Sequence, residues 1–156
     1  MTTDADGYTL FEWASDASFA PRMTDARRAA VERATGAGYA LWFRVVEPRT
    51  RLPDLVLPRK VFVEARSGGG RCGTAEFSES REGYFYAQLT TSVEEGHLRR
   101  GLADAMYVVA EVVAGRVLFN FWATIGGQSE DGARLWEWPR KSGRVRPFGP
   151  QLRPEI

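Results

Sequence analysis

Cysteine and histidine are almost missing from this chain: 156 residues hold one cysteine, Cys72, and one histidine, His97. A single cysteine excludes an internal disulfide and any multi-cysteine metal site. A single histidine excludes catalysis or ligation by a pair of imidazoles. Charge of one sign is missing too: 21 Lys and Arg stand against 20 Asp and Glu, so no global field points to nucleic acid or to an acidic membrane. No apolar run approaches the ~20 residues that a spanning helix needs. The opening MTTDADGYTLFEW has neither a basic start nor an apolar centre, so it does not read as a secretory signal. Together these absences lead to the expectation of a cytoplasmic enzyme or binding domain.

What is present is an ordinary globular composition, 44% hydrophobic and 26% charged, which sets the chain apart from disordered sequences. Its length suits one domain with a core that needs no staples. Thr24 and Asp25 look like a helix start, and Gly36 or Gly38 would end that helix. Its period is carried weakly by Ala26, Ala29, Ala30, Arg33 and Ala34. Residues 39–46 are aromatic and β-branched and read as a strand closed by Pro48. Two prolines mark 52–58 as a connection or an edge.

From Lys60 to Val93 the pattern predicts three strands in tight succession: 61–65, 72–78 and 84–93. The run SGGGR (67–71) supplies a turn that needs positive φ. The last strand has two unlike faces. Phe85, Ala87, Leu89, Thr91 and Val93 form one; Tyr84, Tyr86, Gln88, Thr90 and Ser92 form the other. Residues 98–114 carry the best helical pattern, with Leu102, Met106, Val109 and Val113 on a stripe widened by Ala105, Val108 and Val112, and Gly115 placed to end it. Residues 116–123 read as a central strand, and 129–138 as a short final helix. The whole is an α/β domain with one mixed central sheet of about six strands. An antiparallel meander comes first, then a parallel β-α-β crossover over 84–123.

The segment SVEEGHLRRGLADAMYVVAE (92–111), a strand running through a basic, glycine-containing loop into a helix, resembles the acyl-CoA segment of the GNAT acetyltransferase superfamily. That family's loop reads Arg/Gln-x-x-Gly-x-Gly/Ala. Gly101, Leu102 and Ala103 fit its second half, while its first position falls on Leu98. A helix N-terminus presents free N–H groups and the positive end of its dipole to an anion, and small residues let phosphates reach the backbone. The resemblance covers residues 60–138 of a single domain spanning 1–156. It implies acyl-CoA, acetyl-CoA above all, as co-substrate, held by Val93, Arg99, Arg100, Gly101, Leu102 and Ala103.

The implied activity is N-acyl transfer to an amine, either a small molecule or an amino group of a macromolecule. The family often places a carboxylate on the strand before the loop, but Tyr86-Ala87-Gln88 contains none. It often places a tyrosine in the last helix, where Trp136 stands here. Glu76, on the neighbouring strand, and Tyr86 are then the candidate catalytic residues, and Tyr84 and Gln88 the candidate acceptor contacts. Direct attack can rest on proximity and orientation, worth ~7–11 kcal/mol of a barrier. Two alternatives stand beside this reading. One is a GNAT-fold binding module without catalysis. The other is an acyltransferase acting on nucleic acid, motivated by the basic segment 139–156 with Arg140, Lys141, Arg144, Arg146 and Arg153 against Glu155. A homodimer is compatible with each. Cys72 has no evident activating partner, so it is expected to be a small packing residue.

Overall fold

The computed structural model describes residues 1–52, 55–79, 85–87 and 92–118. Within them the protein is a mixed α/β fold: one open antiparallel sheet of six strands, two helices, and a separate two-stranded hairpin. The strands of the main sheet are β1 (Thr9–Leu10), β2 (Ala40–Val46), β5 (Lys60–Ser67), β6 (Gly70–Glu79), β7 (Phe85–Ala87) and β8 (Ser92–Val93). They run in the order β1-β2-β5-β6-β7, with β8 also against β6. The small hairpin is β3 (Arg49–Leu52) with β4 (Leu55–Leu57), in the stretch expected to be a connection or edge. Pro58 follows the last paired residue, Leu57, so the ladder loses no donor to it.

Helix α1 (Asp25–Gly36) begins as its sequence predicts, with the Thr24 hydroxyl accepting from the Arg27 amide. Its buried face is Arg27, Ala30, Val31 and Ala34 rather than the expected alanine stripe. The reason lies on α2 (Leu102–Ala114), where Glu111 is 1% exposed and stands 3.6 Å from the Arg27 guanidinium, itself 3% exposed. A buried carboxylate needs a cation, and burying it turns α1 so that the arginine faces inward. Arg22 and Arg27 reinforce the contact by donating to the carbonyls of Val112 and Arg22.

The SGGG turn forms as expected. Gly68 and Gly69 have φ of 59° and 79°, the pair of positive values that a two-residue hairpin loop requires, and Ser67 faces Gly70 across it. Two expectations need correction. The run 84–93 is not one strand: Ala87 opposes Phe77, whereas Ser92 opposes Thr74, and these registers differ by two residues. One uninterrupted ladder cannot join them. Helix α2 starts at Leu102 rather than at Leu98, because Leu98 is extended and Arg99 and Gly101 have φ of 61° and 77°. A right-handed helix cannot pass through left-handed residues.

Every pairing among the described residues is antiparallel. The strand expected over 116–123 shows no pairing over 116–118 and then leaves the described residues, as do the final helix (129–138), Trp136 and the basic segment 139–156. Both helices cover one face of the sheet. There Leu41, Val61, Val63, Ala75, Phe77 and Phe85 meet Leu102, Met106, Val108 and Val109, all nearly inaccessible. The Phe77 and Tyr107 rings touch edge to face at 5.4 Å. No described helix is long and apolar enough to cross a membrane.

Candidate functional site

The residues that lead into α2 form the most chemically distinctive place in the described structure. Gly101 is the N-cap residue, and no side chain caps the helix, so the first-turn N–H groups have no partner within it. A Cβ on Gly101 would lie 3.0 Å from Cδ and 3.1 Å from Nε of Arg33, which reaches across from the last turn of α1. Arg33 Nη2 donates to the Arg99 carbonyl at 3.2 Å and so ties down the left-handed Arg99. Arg100 Nη1 donates to the Tyr39 hydroxyl at 3.2 Å, and that hydroxyl lies 2.6 Å from Nδ1 of His97.

A guanidinium can only donate, so the Tyr39 oxygen accepts from Arg100, and the same hydroxyl is hydrogen-bonded to the His97 ring. Tyr39 is buried, whereas Arg33, Arg99 and Arg100 are exposed. Two guanidinium groups, those of Arg33 and Arg100, are therefore held by hydrogen bonds near the uncapped end of an apolar helix, with exposed Arg99 beside them in the chain. Such an end attracts anions through its N–H groups and dipole, and arginine adds flat, directional donors. Glu94 and Glu95 precede the cluster and Asp104 lies in the helix's first turn, so its positive character is local.

Of the residues proposed to hold acyl-CoA, Arg99, Arg100 and Gly101 share this loop and Ala103 lies in the first turn of α2. Leu102 is buried in the core and can offer only its backbone. Val93 pairs with Gly73 and packs against the core one strand away. Leu98, at the position where the family's loop carries a donor, is half exposed.

The candidate catalytic groups lie elsewhere. Gly73, Ala75 and Phe77 face α2, so alternation turns Glu76 to the opposite face of the sheet, beside Ser78, whose partner across the ladder is Tyr86. The structure thus brings Glu76 and Tyr86 to one face, and sets α2 against the other. Glu76 is moreover bonded to Lys60 at 2.6 Å. Tyr84 and Gln88 lie outside the described residues. Cys72 is buried, with its thiol 3.6 Å from the Gly70 carbonyl. Among the described residues no group of three or more His, Cys, Asp or Glu could hold a metal ion.

Arg33 and Tyr39 were not legible as site residues. Each sits at the end of an element that reads as structural, and Tyr39 meets His97 across 58 residues of chain. Compared with known proteins, the chain matches no family model, no curated protein and no solved structure.

Proposed function

We propose that this chain binds the diphosphate of an acyl-CoA at the amino end of α2 and passes the acyl group to an amine. The observation that carries the reading is the uncapped, glycine-headed α2 with Arg33, Arg99 and Arg100 around it. Bound there, acyl-CoA would supply the activated thioester. The backbone N–H groups of residues 102–104 would meet phosphate oxygens, and the missing Cβ of Gly101 makes room for Arg33 beside them. Arg100, steered by Tyr39, and Arg33, braced on the Arg99 carbonyl, would neutralise the remaining charge.

A second reading, a binding module of this kind without catalysis, is favoured by one specific observation. Glu76, the carboxylate proposed to take the amine proton, is already engaged by Lys60. A base that must first break a short ion pair is poorly placed to accept a proton.

Thermal unfolding with and without acetyl-CoA tests the binding that both readings share. A ligand that binds only the folded state stabilises it by ~2.7 kcal/mol at a hundredfold excess over its dissociation constant. An unmoved transition at saturating acetyl-CoA removes the cofactor assignment. Steady release of free CoA with a panel of amines then separates transfer from binding alone.

A further inference from the structure

The face of the sheet turned away from the helices carries a ladder of alternating rings and guanidinium groups. Arg44 stacks 4.8 Å over Phe62 and 5.3 Å over Tyr8; Arg66 stacks 5.3 Å over the same Tyr8 and 4.4 Å over Trp42. The sequence from one end to the other is Phe62, Arg44, Tyr8, Arg66, Trp42. Tyr8 is held between the two cations by the turn Asp4–Gly7, in which the Asp4 carboxylate accepts from the amides of Asp6 and Tyr8.

The two arginines differ in one respect. Arg66 is fully neutralised, by Asp4 at 2.7 Å and by Glu64 at 2.8 Å. Arg44 has no ion pair or hydrogen bond among the described residues, and its buried Nε has no acceptor. Cation–π contact offsets part of the cost of burying a guanidinium, but it does not satisfy N–H donors, which lie in the plane of the group. Arg44 is half-buried, so its guanidinium keeps donors that no described residue takes up.

We infer that Arg44 is the receptor for a carboxylate, bound by its guanidinium on the face of the sheet turned away from the helices. Three features select this chemistry. One guanidinium already lies over each of the Phe62 and Trp42 rings and two lie over Tyr8, which leaves less ring surface for stacking on nucleobases. Asp4, Glu64 and Glu76 on this face are matched by Arg66, Arg71 and Lys60, which leaves the single charge of Arg44, and one negative charge balances it. A carboxylate also matches the planar fork of arginine. This inference is independent of the acyl-CoA reading, because the ladder lies on the other side of the sheet from α2.

The test is an NMR titration of the full chain that follows the Arg44 Nε–Hε signal, with sodium acetate as probe, sodium chloride at matched ionic strength as control, and inorganic phosphate as competitor class. Acetate should shift Arg44 saturably and leave Arg66 unmoved, and chloride should not. Arg44→Met should lose the saturable response at the neighbouring Tyr8 and Phe62 signals while its amide spectrum stays folded. If that variant does not fold, Arg44→Lys, which keeps the charge and loses the fork, should show a weakened response. A capped glutamyl peptide binding tighter than acetate would name an acidic side chain as the source, and the reverse order a free organic acid. Linear shifts equal to those with chloride, an unchanged response in either variant, or phosphate binding tenfold tighter than acetate would overturn the assignment.

Discussion

Removing the Glu111 carboxylate tests how the two helices are held together. Glu111→Ala removes the carboxylate 3.6 Å from the Arg27 guanidinium, itself 3% exposed, and breaking a buried ion pair by removing one member costs about 3–5 kcal/mol. The same carboxylate accepts from the amide of Leu118 at 3.3 Å, and an orphaned buried N–H costs about 1–3 kcal/mol more. These costs overlap, so the expected loss lies near the upper end of the first range, about 5 kcal/mol. At 2–4 °C per kcal/mol for a chain of this size, the melting temperature should fall by about 10–20 °C. Replacing both partners by Arg27→Met and Glu111→Leu removes the charges together and should recover most of that loss, since apolar substitutes for a buried pair are often neutral or better. Calorimetry of the two single variants and the double variant completes the cycle. A Glu111→Ala transition within 3 °C of wild type, roughly one kcal/mol at this size, or a double variant as unstable as the singles summed, would refute the reasoning.

Other outcomes follow from the same geometry. Burial works against ionisation of Asp4, but its bonds from Arg66 and from the amides of Tyr8 and Asp6 outweigh that, and its carboxyl sits below the ordinary aspartate range. The N-terminal turn should therefore be fully formed above the usual pKa of about 3.9 and be lost as pH falls through the lower folded value. Tyr8 ring signals should titrate with a midpoint below 3.9, and Asp4→Asn should abolish that titration. Gly101→Asp should lose CoA binding, because it adds a carboxylate among phosphates, and positive φ should cost it about 1–2 kcal/mol, or about 2–8 °C. Unchanged CoA affinity by calorimetry would move the site elsewhere. Tyr39→Phe, which frees Arg100, should weaken CoA severalfold without unfolding the chain, whereas unaltered affinity would make the Tyr39–Arg100 bond merely structural. Cys72→Ala should keep any transferase activity; an acetyl adduct on Cys72 during turnover, with an inactive variant, would contradict direct attack by the amine.

Features written into adjacent residues were legible in the sequence. Thr24 caps α1, the glycine pair 68–69 makes a hairpin loop, and Gly115 ends α2 with a φ of 69°. Each depends on a local conformation that few residue types allow. Features that depend on a distant partner were not legible. Arg27 reads as a solvated helix residue until Glu111 is seen beside it, and Arg44 reads as a polar strand position until Tyr8 and Phe62 close around it. The division of 84–93 needed β6 as a ruler, because alternation is the same on both sides of a register shift. The late start of α2 rests on a left-handed arginine, which no residue pattern announces. The basic, glycine-containing loop around Gly101 was legible, but Arg33, which packs against it, comes from the other helix.

The central claim is that the head of α2 receives a diphosphate, and calorimetric titration of CoA into wild type and an Arg33→Met, Arg100→Met double variant tests it most directly. These side chains hold the loop but lie outside the core, so the variant should remain folded by circular dichroism. Charge-assisted bonds to phosphate are each worth about 1.5–3 kcal/mol, so losing two should weaken CoA by a hundredfold or more. The account predicts saturable binding to wild type, weakened by added salt and nearly abolished in the variant. No binding to the folded wild-type chain, or equal affinity in both proteins, would contradict it.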